Sequence, residues 1–342
     1  MMINSPFAVA MAFLIVVGLS YLITCAYRRI AIQRDILDHP NHRSSHTIPT
    51  PRGGGVSIVV CSLAVLAIAA WEMIISESIP AIIVAGAIVA LIGLWDDLRS
   101  VSAAKRFIVH LGAATLGVML LPAPLSISLL GYEWEFQPLL LPLAIIGLVW
   151  MTNLYNFMDG IDGIAGIQAI TVYLGAAVLL GSVGAWGWVA LMLLLSASVV
   201  GFLLLNWPPA KIFMGDAASG FLGILIGMLA LASSSQGVAN IWAWLILMSL
   251  FIVDATWTLM VRLYSGQRWS QPHRSHLYQI LSRAWRGHKP VTIFVGGVNV
   301  LWFLPLAYLS ILYPAIGVII ALLGWAPVIY LCWHYKAGMP SV

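Results

Sequence analysis

The sequence predicts an all-α fold: a polytopic membrane helical bundle of about eleven transmembrane helices, amino terminus outside, with an interfacial amphipathic helix near 276–286. Three observations predict it. Of the 342 residues, 61% are apolar and 8% charged, and mean hydropathy is +0.98, which excludes an ordinary soluble domain. Apolar runs lie at 7–27, 55–73, 79–95, 106–122, 138–152, 163–181, 185–205, 217–233, 239–262, 291–313 and 315–334. They approach or reach the roughly 20 residues that span a hydrocarbon core, and they are apolar on all sides, where barrel strands would alternate. Finally, with the amino terminus outside, segments 28–54, 96–105, 153–162, 206–216 and 263–290, with their helix ends and the tail after 334, hold all 16 Lys and Arg residues. The opposite loops hold none and carry Glu72, Glu77, Glu133 and Glu135, the bias expected of a cytoplasmic and an external face. Residues 1–342 read as a single integral membrane domain.

Taken in chain order, the first run lacks a basic leader and is followed by Arg28-Arg29, the pattern of a retained helix rather than a cleaved signal. The second opens on Gly53-Gly54-Gly55, with Arg52 and His46 before it. Those glycines permit close backbone approach to a phosphate or tight helix packing, and both readings stay open. The third run ends in Asp96-Asp97, and Lys105 and Arg106 lead into the fourth, which contains His110. The fifth runs into NLYNFMDGIDGIAG, where Asn153, Asn156, Asp159 and Asp162 precede the sixth. The seventh ends at Asn206 in NWPPAKIFMGDAASG, which carries Phe213 and Asp216 into the eighth. Asp254 lies inside the ninth, where a charge is expensive and commonly functional, with no partner evident in sequence. Cys25, Cys61 and Cys332 stand singly in apolar runs, which suggests neither a disulfide framework nor a zinc site.

Adjacent carboxylates at a helix end near lipid headgroups repel one another and require a cation, either Arg/Lys or a divalent metal. Read singly, Asp96-Asp97 is a salt-bridged terminus, Asp159 and Asp162 are caps, and Asp216 is the acid of a first helical turn. Three such clusters at three membrane boundaries on one face favour a shared oxygen-ligand site. Hard oxygen ligands indicate Mg²⁺, or Mn²⁺ in its place, and magnesium's use of few carboxylates plus phosphates indicates a pyrophosphate-bearing substrate. Asn153, Asn156 and Asn206 would read a base or sugar, or else satisfy backbone groups at helix ends.

In the last large loop, Leu277, Ile280, Leu281, Ala284 and Trp285 form one apolar helical face, preceded by His273, Arg274 and His276. Such groups suit a lipid phosphate or simple attraction to the membrane. The pI near 9.0 is explained by anionic headgroups without nucleic acid.

Together the DD…KR pair, NxxNFMDGIDGIAG, NWxPAKIFMGD and the histidine loop resemble the polyprenyl-phosphate N-acetylhexosamine-1-phosphate transferases, the MraY/WecA superfamily of glycosyltransferase 4 type. PNHRSSHTIPTPRGGG and PHRSHLYQ are most similar to the WbpL-type O-antigen initiators. The resemblance implies an enzyme of the bacterial inner (cytoplasmic) membrane whose partners are a UDP-sugar, undecaprenyl phosphate and the bilayer. It implies Asp96 and Asp97 as the catalytic pair, Asp216 and Asp97 as metal residues, and Lys105, His273 and His276 as further catalytic groups. Asn153, Asn156, Asp159, Asp162, Arg52 and Arg274 would contact substrate, with Asn206 and Phe213 in a uridine pocket where Phe213 stacks on uracil. The His273-Arg274-Ser275-His276 order departs from the three consecutive histidines of the peptidoglycan branch and argues against a muramyl-pentapeptide substrate. Monomer and homo-oligomer both stay open. The competing class, a transporter or flippase for polyprenyl-linked sugars, should place its polar groups near the midplane and show internal repeats. Here the carboxylates crowd one surface and no repeat is visible.

Overall fold

The computed structural model describes residues 5–38, 48–72, 77–267 and 273–340. His46, Arg43 and Arg268, all in basic loops, lie outside the described residues. The apolar runs become helices α1 (Pro6–Gln33), α2 (Val56–Trp71), α3 (Ile79–Leu98), α4 (Ala103–Met119), α5 (Gln137–Phe157), α6 (Ile164–Ser182), α7 (Trp186–Asn206) and α8 (Asp216–Ser235). They continue as α9 (Ile241–Leu247), α10 (Ser249–Tyr264), the short α11 (Leu277–Ala284), α12 (His288–Val298), α13 (Leu304–Leu312) and α14 (Gly317–His334). Two two-stranded hairpins are the strands described: β1 (Leu37–Asp38) with β2 (Thr50–Pro51), and β3 (Ile127–Leu129) with β4 (Tyr132–Trp134).

Among the described residues, eight helical spans are long and apolar enough to cross a membrane, counting α12 to α13 as one, and the α9–α10 pair makes a ninth. α2 and α4, of 16 and 17 residues, answer two more of the runs but are shorter than a full crossing. The run at 239–262 is not one straight helix: α9 and α10 meet at 75°. Neither proline nor glycine marks that break in the sequence. Tertiary partners satisfy the polar groups beside it, since Gln168 Nε2 donates to the Leu247 carbonyl at 3.2 Å and Trp325 Nε1 to Ser249 Oγ at 2.8 Å. α12 and α13 run together through a π turn, Asn299–Phe303.

α8 lies at the centre, with 89% of its span buried against 11% for α1. Small residues let it in. A Cβ on Gly93 of α3 would lie 2.6 Å from the Ala217 Cα, and one on Gly223 would collide with the Met151 carbonyl of α5.

Hydrogen bonds sort the helix ends into two sets. At one end Gly55 N donates to Met214 O (2.9 Å), Gly163 N to Asn206 Oδ1 (3.0 Å) and Asp216 N to Asp97 Oδ1 (2.9 Å). At the other, Gln236 Nε2 donates to Ser78 Oγ (2.8 Å), Trp242 Nε1 to Ser128 O (2.6 Å) and Asn240 Nδ2 to Ser310 O (2.7 Å). The aspartate motifs all belong to the first end.

Candidate active site

Two neighbouring carboxylates at the end of α3 have different surroundings. Asp97 is 4% exposed, and its two oxygens accept the first amides of α8, from Asp216 N at 2.9 Å and Ala217 N at 3.0 Å. It thus caps a helix it does not belong to, satisfying donors that the helix cannot and opposing its dipole. Gly215, at φ 84°, makes the approach feasible, because a Cβ there would sit 2.7 Å from Asp97 Oδ2. Arg52 Nη2 donates to the Asp97 carbonyl at 2.9 Å, joining the glycine-rich loop to the same place.

Asp96 points elsewhere. Its Oδ1 accepts Val101 N at 2.6 Å, and its Oδ2 is 2.5 Å from Arg106 Nη1. The same nitrogen is 2.6 Å from Asp216 Oδ2. Two carboxylates from separate helices therefore share one cation, with the Asp216 side chain one-third exposed. Asn156 Nδ2 holds the other Asp216 oxygen at 3.0 Å and also reaches Ser219 Oγ at 2.9 Å.

Asp159 and Asp162 flank this group. Burial, then the charges of Asp216, Asp97 and Asp162, push the Asp159 pKa well above the usual carboxylate range. Asp162 Oδ2 accepts Ala210 N at 3.0 Å, and its Oδ1 lies 3.2 Å from His288 Nδ1. Asn206 is engaged by backbone on both sides, accepting Gly163 N at 3.0 Å and donating to Ile212 O at 2.9 Å, so it clips the start of α6 to the loop before α8. Asn153 bonds back to Val149 O at 2.7 Å within its own helix. Phe213 is half-buried, and its amide donates to Pro51 O at 2.8 Å.

The histidine loop joins through α11. Tyr278 Oη donates to Phe157 O at 3.0 Å, and a Cβ on Gly160 would collide with that hydroxyl, so the DGIDG turn has to carry glycine here. His276 stacks on Phe157 and Tyr278, with His273 4.9 Å away between ring centroids. Asp254 holds this arrangement. Fully buried, it accepts Leu277 N at 2.8 Å and Tyr278 N at 3.0 Å, and it lies 3.4 Å from His276 Nδ1. Burial, followed by the charges of His276 and Arg262, pushes the His273 pKa down to about 4. Arg274 accepts Arg283 Nη2 on its carbonyl at 3.0 Å.

Three placements differ from the sequence reading. Arg106, not Lys105, lies between the acids; Lys105 is exposed and forms no ion pair among the described residues. The signal was helical phase, since Arg106 shares a stripe with the buried His110, Ala113 and Gly117 at i+4, i+7 and i+11. Asp97, expected beside Asp216 as a metal residue, has both oxygens on amides, while Asp96 shares the cation with Asp216. His288 and Ser219, absent from the sequence reading, contact Asp162 and Asn156.

No group of three or more His, Cys, Asp or Glu among the described residues is arranged to hold a metal. A magnesium ion needs only one or two carboxylates when phosphates supply the remaining oxygens. Asp96 and Asp216, already converging on one cation, supply that number, so the donor set fits.

The sequence profile described as glycosyl transferase family 4 matches residues 79–234, the stretch holding Asp96, Asp97, Asn156, Asp159, Asp162 and Asp216. A probable undecaprenyl-phosphate N-acetylglucosaminyl 1-phosphate transferase of Bacillus subtilis (strain 168) is 31% identical over 288 residues, covering 82% of this chain and 79% of its own. The decaprenyl-phosphate N-acetylglucosaminephosphotransferase of Mycolicibacterium smegmatis is 26% identical over 310 residues, covering 81% and 76%. The undecaprenyl-phosphate alpha-N-acetylglucosaminyl 1-phosphate transferase of Salmonella typhi is 28% identical over 272 residues, covering 75% and 72%. Likeness of that extent, running through the stretch where the acids converge, makes this integral membrane protein a member of glycosyl transferase family 4.

Proposed function

We propose that the protein transfers a sugar 1-phosphate, from an N-acetylated hexosamine or a 6-deoxy relative, from a UDP-sugar to undecaprenyl phosphate. UMP is released, and the product starts lipid-linked O-antigen or another cell-surface polysaccharide. The observation that carries this reading is the convergence of Asp96 and Asp216 on one cation at a bundle end, in a chain whose relatives carry the names above. The end bearing the acids faces the cytoplasm of the inner membrane in this reading, because the basic loops lie on that side.

Mg²⁺, or Mn²⁺, held by Asp96 and Asp216 would neutralise the donor's diphosphate and the departing UMP. The chain's own groups do the rest. Asn156 orients Asp216, and Asp97 locks the start of α8 so that both stay in register. Asp159, whose pKa is raised by burial and by its neighbouring acids, lies beside them to contact the sugar or phosphate. Phe213 stacks on uracil, and Arg52 steadies the loop beside it. A phosphate monoester is already largely ionised near neutral pH, so positioning and charge neutralisation dominate its in-line attack. An apolar groove of about 320 Å³ between α5, α8 and the bent α9–α10 pair, running from Leu125 and Ile127 at the opposite end of the bundle to Trp150 and Met151, suits the far part of a prenyl tail that crosses the bilayer.

The test is UMP release by purified protein given undecaprenyl phosphate, Mg²⁺ and a panel of UDP-sugars. Release with an N-acetylated sugar is expected. No release across the panel, with lipid crossing the walls of liposomes instead, would overturn the reading. Phe213→Ala should raise the donor KM by the equivalent of about 1–3 kcal/mol of lost stacking with kcat little changed.

A further inference from the structure

A cavity of about 1320 Å³ lies between α10, α11 and the end of α14, and none of the five aspartates of the acid cluster lines it. Four permanent cations line it, Arg262, Arg274, Arg283 and Lys336, along with His273 and His334, and no Asp or Glu does among the described residues. Burial and the neighbouring Arg274 charge push the Arg283 pKa down.

Hydrogen bonds hold the described part of one wall. The segment after α14 folds back as one wall, with Gly338 N donating to Ser275 O at 2.8 Å and Gln267 Nε2 to Gly338 O at 2.9 Å. Gln267 Oε1 in turn accepts Arg262 Nη1 at 2.8 Å. Gly338, at φ 84°, is required there, because a Cβ would lie 2.8 Å from Thr258 O.

The apolar part of the lining indicates which anion fits. Trp257, Val261 and Ile280 face the cavity beside the cations. Trp333 and Met339, also in the lining, are 65% and 49% exposed. Aromatic side chains exposed beside cations at helix ends mark headgroup depth in a bilayer. A free phosphate would engage the cations and leave this apolar surface bare, whereas a phospholipid would cover both.

We propose that this cavity binds the phosphate of an anionic phospholipid headgroup, with the acyl chains leaving past Trp333 and Met339. The site is separate from the acid cluster and does not depend on which sugar is transferred. Basic pockets between membrane helices on the cytoplasmic side commonly serve this purpose.

The test uses the full chain, delipidated in neutral detergent, with phosphatidylglycerol and phosphatidylcholine compared by native mass spectrometry and thermal midpoint. Phosphatidylglycerol should bind about tenfold more tightly, and R283Q/K336Q should lose most of that preference. The charge-preserving R283K/K336R should keep it, which separates loss of charge from loss of fold. A preference unchanged in R283Q/K336Q overturns the proposal. So does displacement of phosphatidylglycerol by inorganic phosphate alone, which would make this a free-phosphate site. A donor KM raised in R283Q/K336Q at constant lipid also overturns it, by assigning the cavity to the UDP-sugar diphosphate.

Discussion

Asp254, inside α10, and Asp216, the first residue of α8, are both helix-borne acids, yet their surroundings differ in kind. Asp254 is sealed: its oxygens take two amides of α11, the Thr258 hydroxyl at 3.1 Å and the His276 ring. Asp216 has one oxygen held by Asn156 and the other shared with Asp96 through a guanidinium, on a side chain one-third exposed. A buried carboxylate whose lone pairs all meet fixed donors is a structural clamp. One whose partner is a movable cation in partial contact with water is where another cation or a phosphate can enter. Two neighbours on α3 repeat the contrast, with Asp97 as the clamp and Asp96 as the open group.

The largest expected effect lies on the open side. Asp216→Asn keeps the helix start and the Asn156 contact in shape but removes one of the two carboxylate charges that converge on the shared cation. UMP release should fall by roughly 10²–10³-fold, the range seen when one preorganised electrostatic group is lost. The thermal midpoint should stay near wild type. Near-normal turnover would break the distinction between clamp and open acid.

Next comes a pair adjacent in sequence. Arg106→Ala leaves Asp96 and Asp216 facing each other without their shared cation, and a charge-assisted hydrogen bond contributes about 1.5–3 kcal/mol. Lys105→Ala removes an exposed cation and should change stability and turnover by no more than about 0.5 kcal/mol. Kinetics and thermal unfolding on both variants check this, and equal effects would remove Arg106 from the site.

Asp254→Asn tests the clamp itself. An amide can accept only one of the two α11 amides and brings its own donors into a site built of donors. A loss of about 1–3 kcal/mol in stability is expected, read as a lower unfolding midpoint. Turnover per folded molecule should fall less than in Asp216→Asn. A variant that loses activity at full stability would make Asp254 part of the chemistry.

How much of this was legible beforehand follows from what sequence encodes. Run length and charge bias are properties of single segments, so the helices and the gathering of aspartates at their ends could be read directly. Relative rotation of two helices is not a single-segment property. Asp96 and Asp97 stand about 100° apart on α3, and only the position of α8 decides which one caps and which one stays open. The phase of α4 selected Arg106 over Lys105, and that much was readable from the buried stripe through His110. The polar groups beside the break at Met248 are met by Gln168 and Trp325 from other helices, and no local residue announces it. The sequence leaves Asn206 open as a ligand reader or a backbone clip, and in the fold both ends of its amide engage backbone.

The smallest effect concerns pH and tests whether the histidine loop belongs with the clamp. His273 is held near a pKa of about 4 by burial, His276 and Arg262, with Asp254 pulling the other way. In an unfolded chain the same imidazole titrates near its ordinary value of about 6.5. Between those values the unfolded state binds more protons than the folded one, so stability rises with pH across that window and is flat above it. The thermal midpoint in detergent should therefore climb between about pH 5 and 7, and His273→Gln should flatten part of that slope. The effect is confined to one partly exposed ring and should be smaller than that of Asp254→Asn at any pH. A slope identical in the variant would mean that the loop opens to water, and that Asp254 fastens α11 without fastening the histidine in front of it.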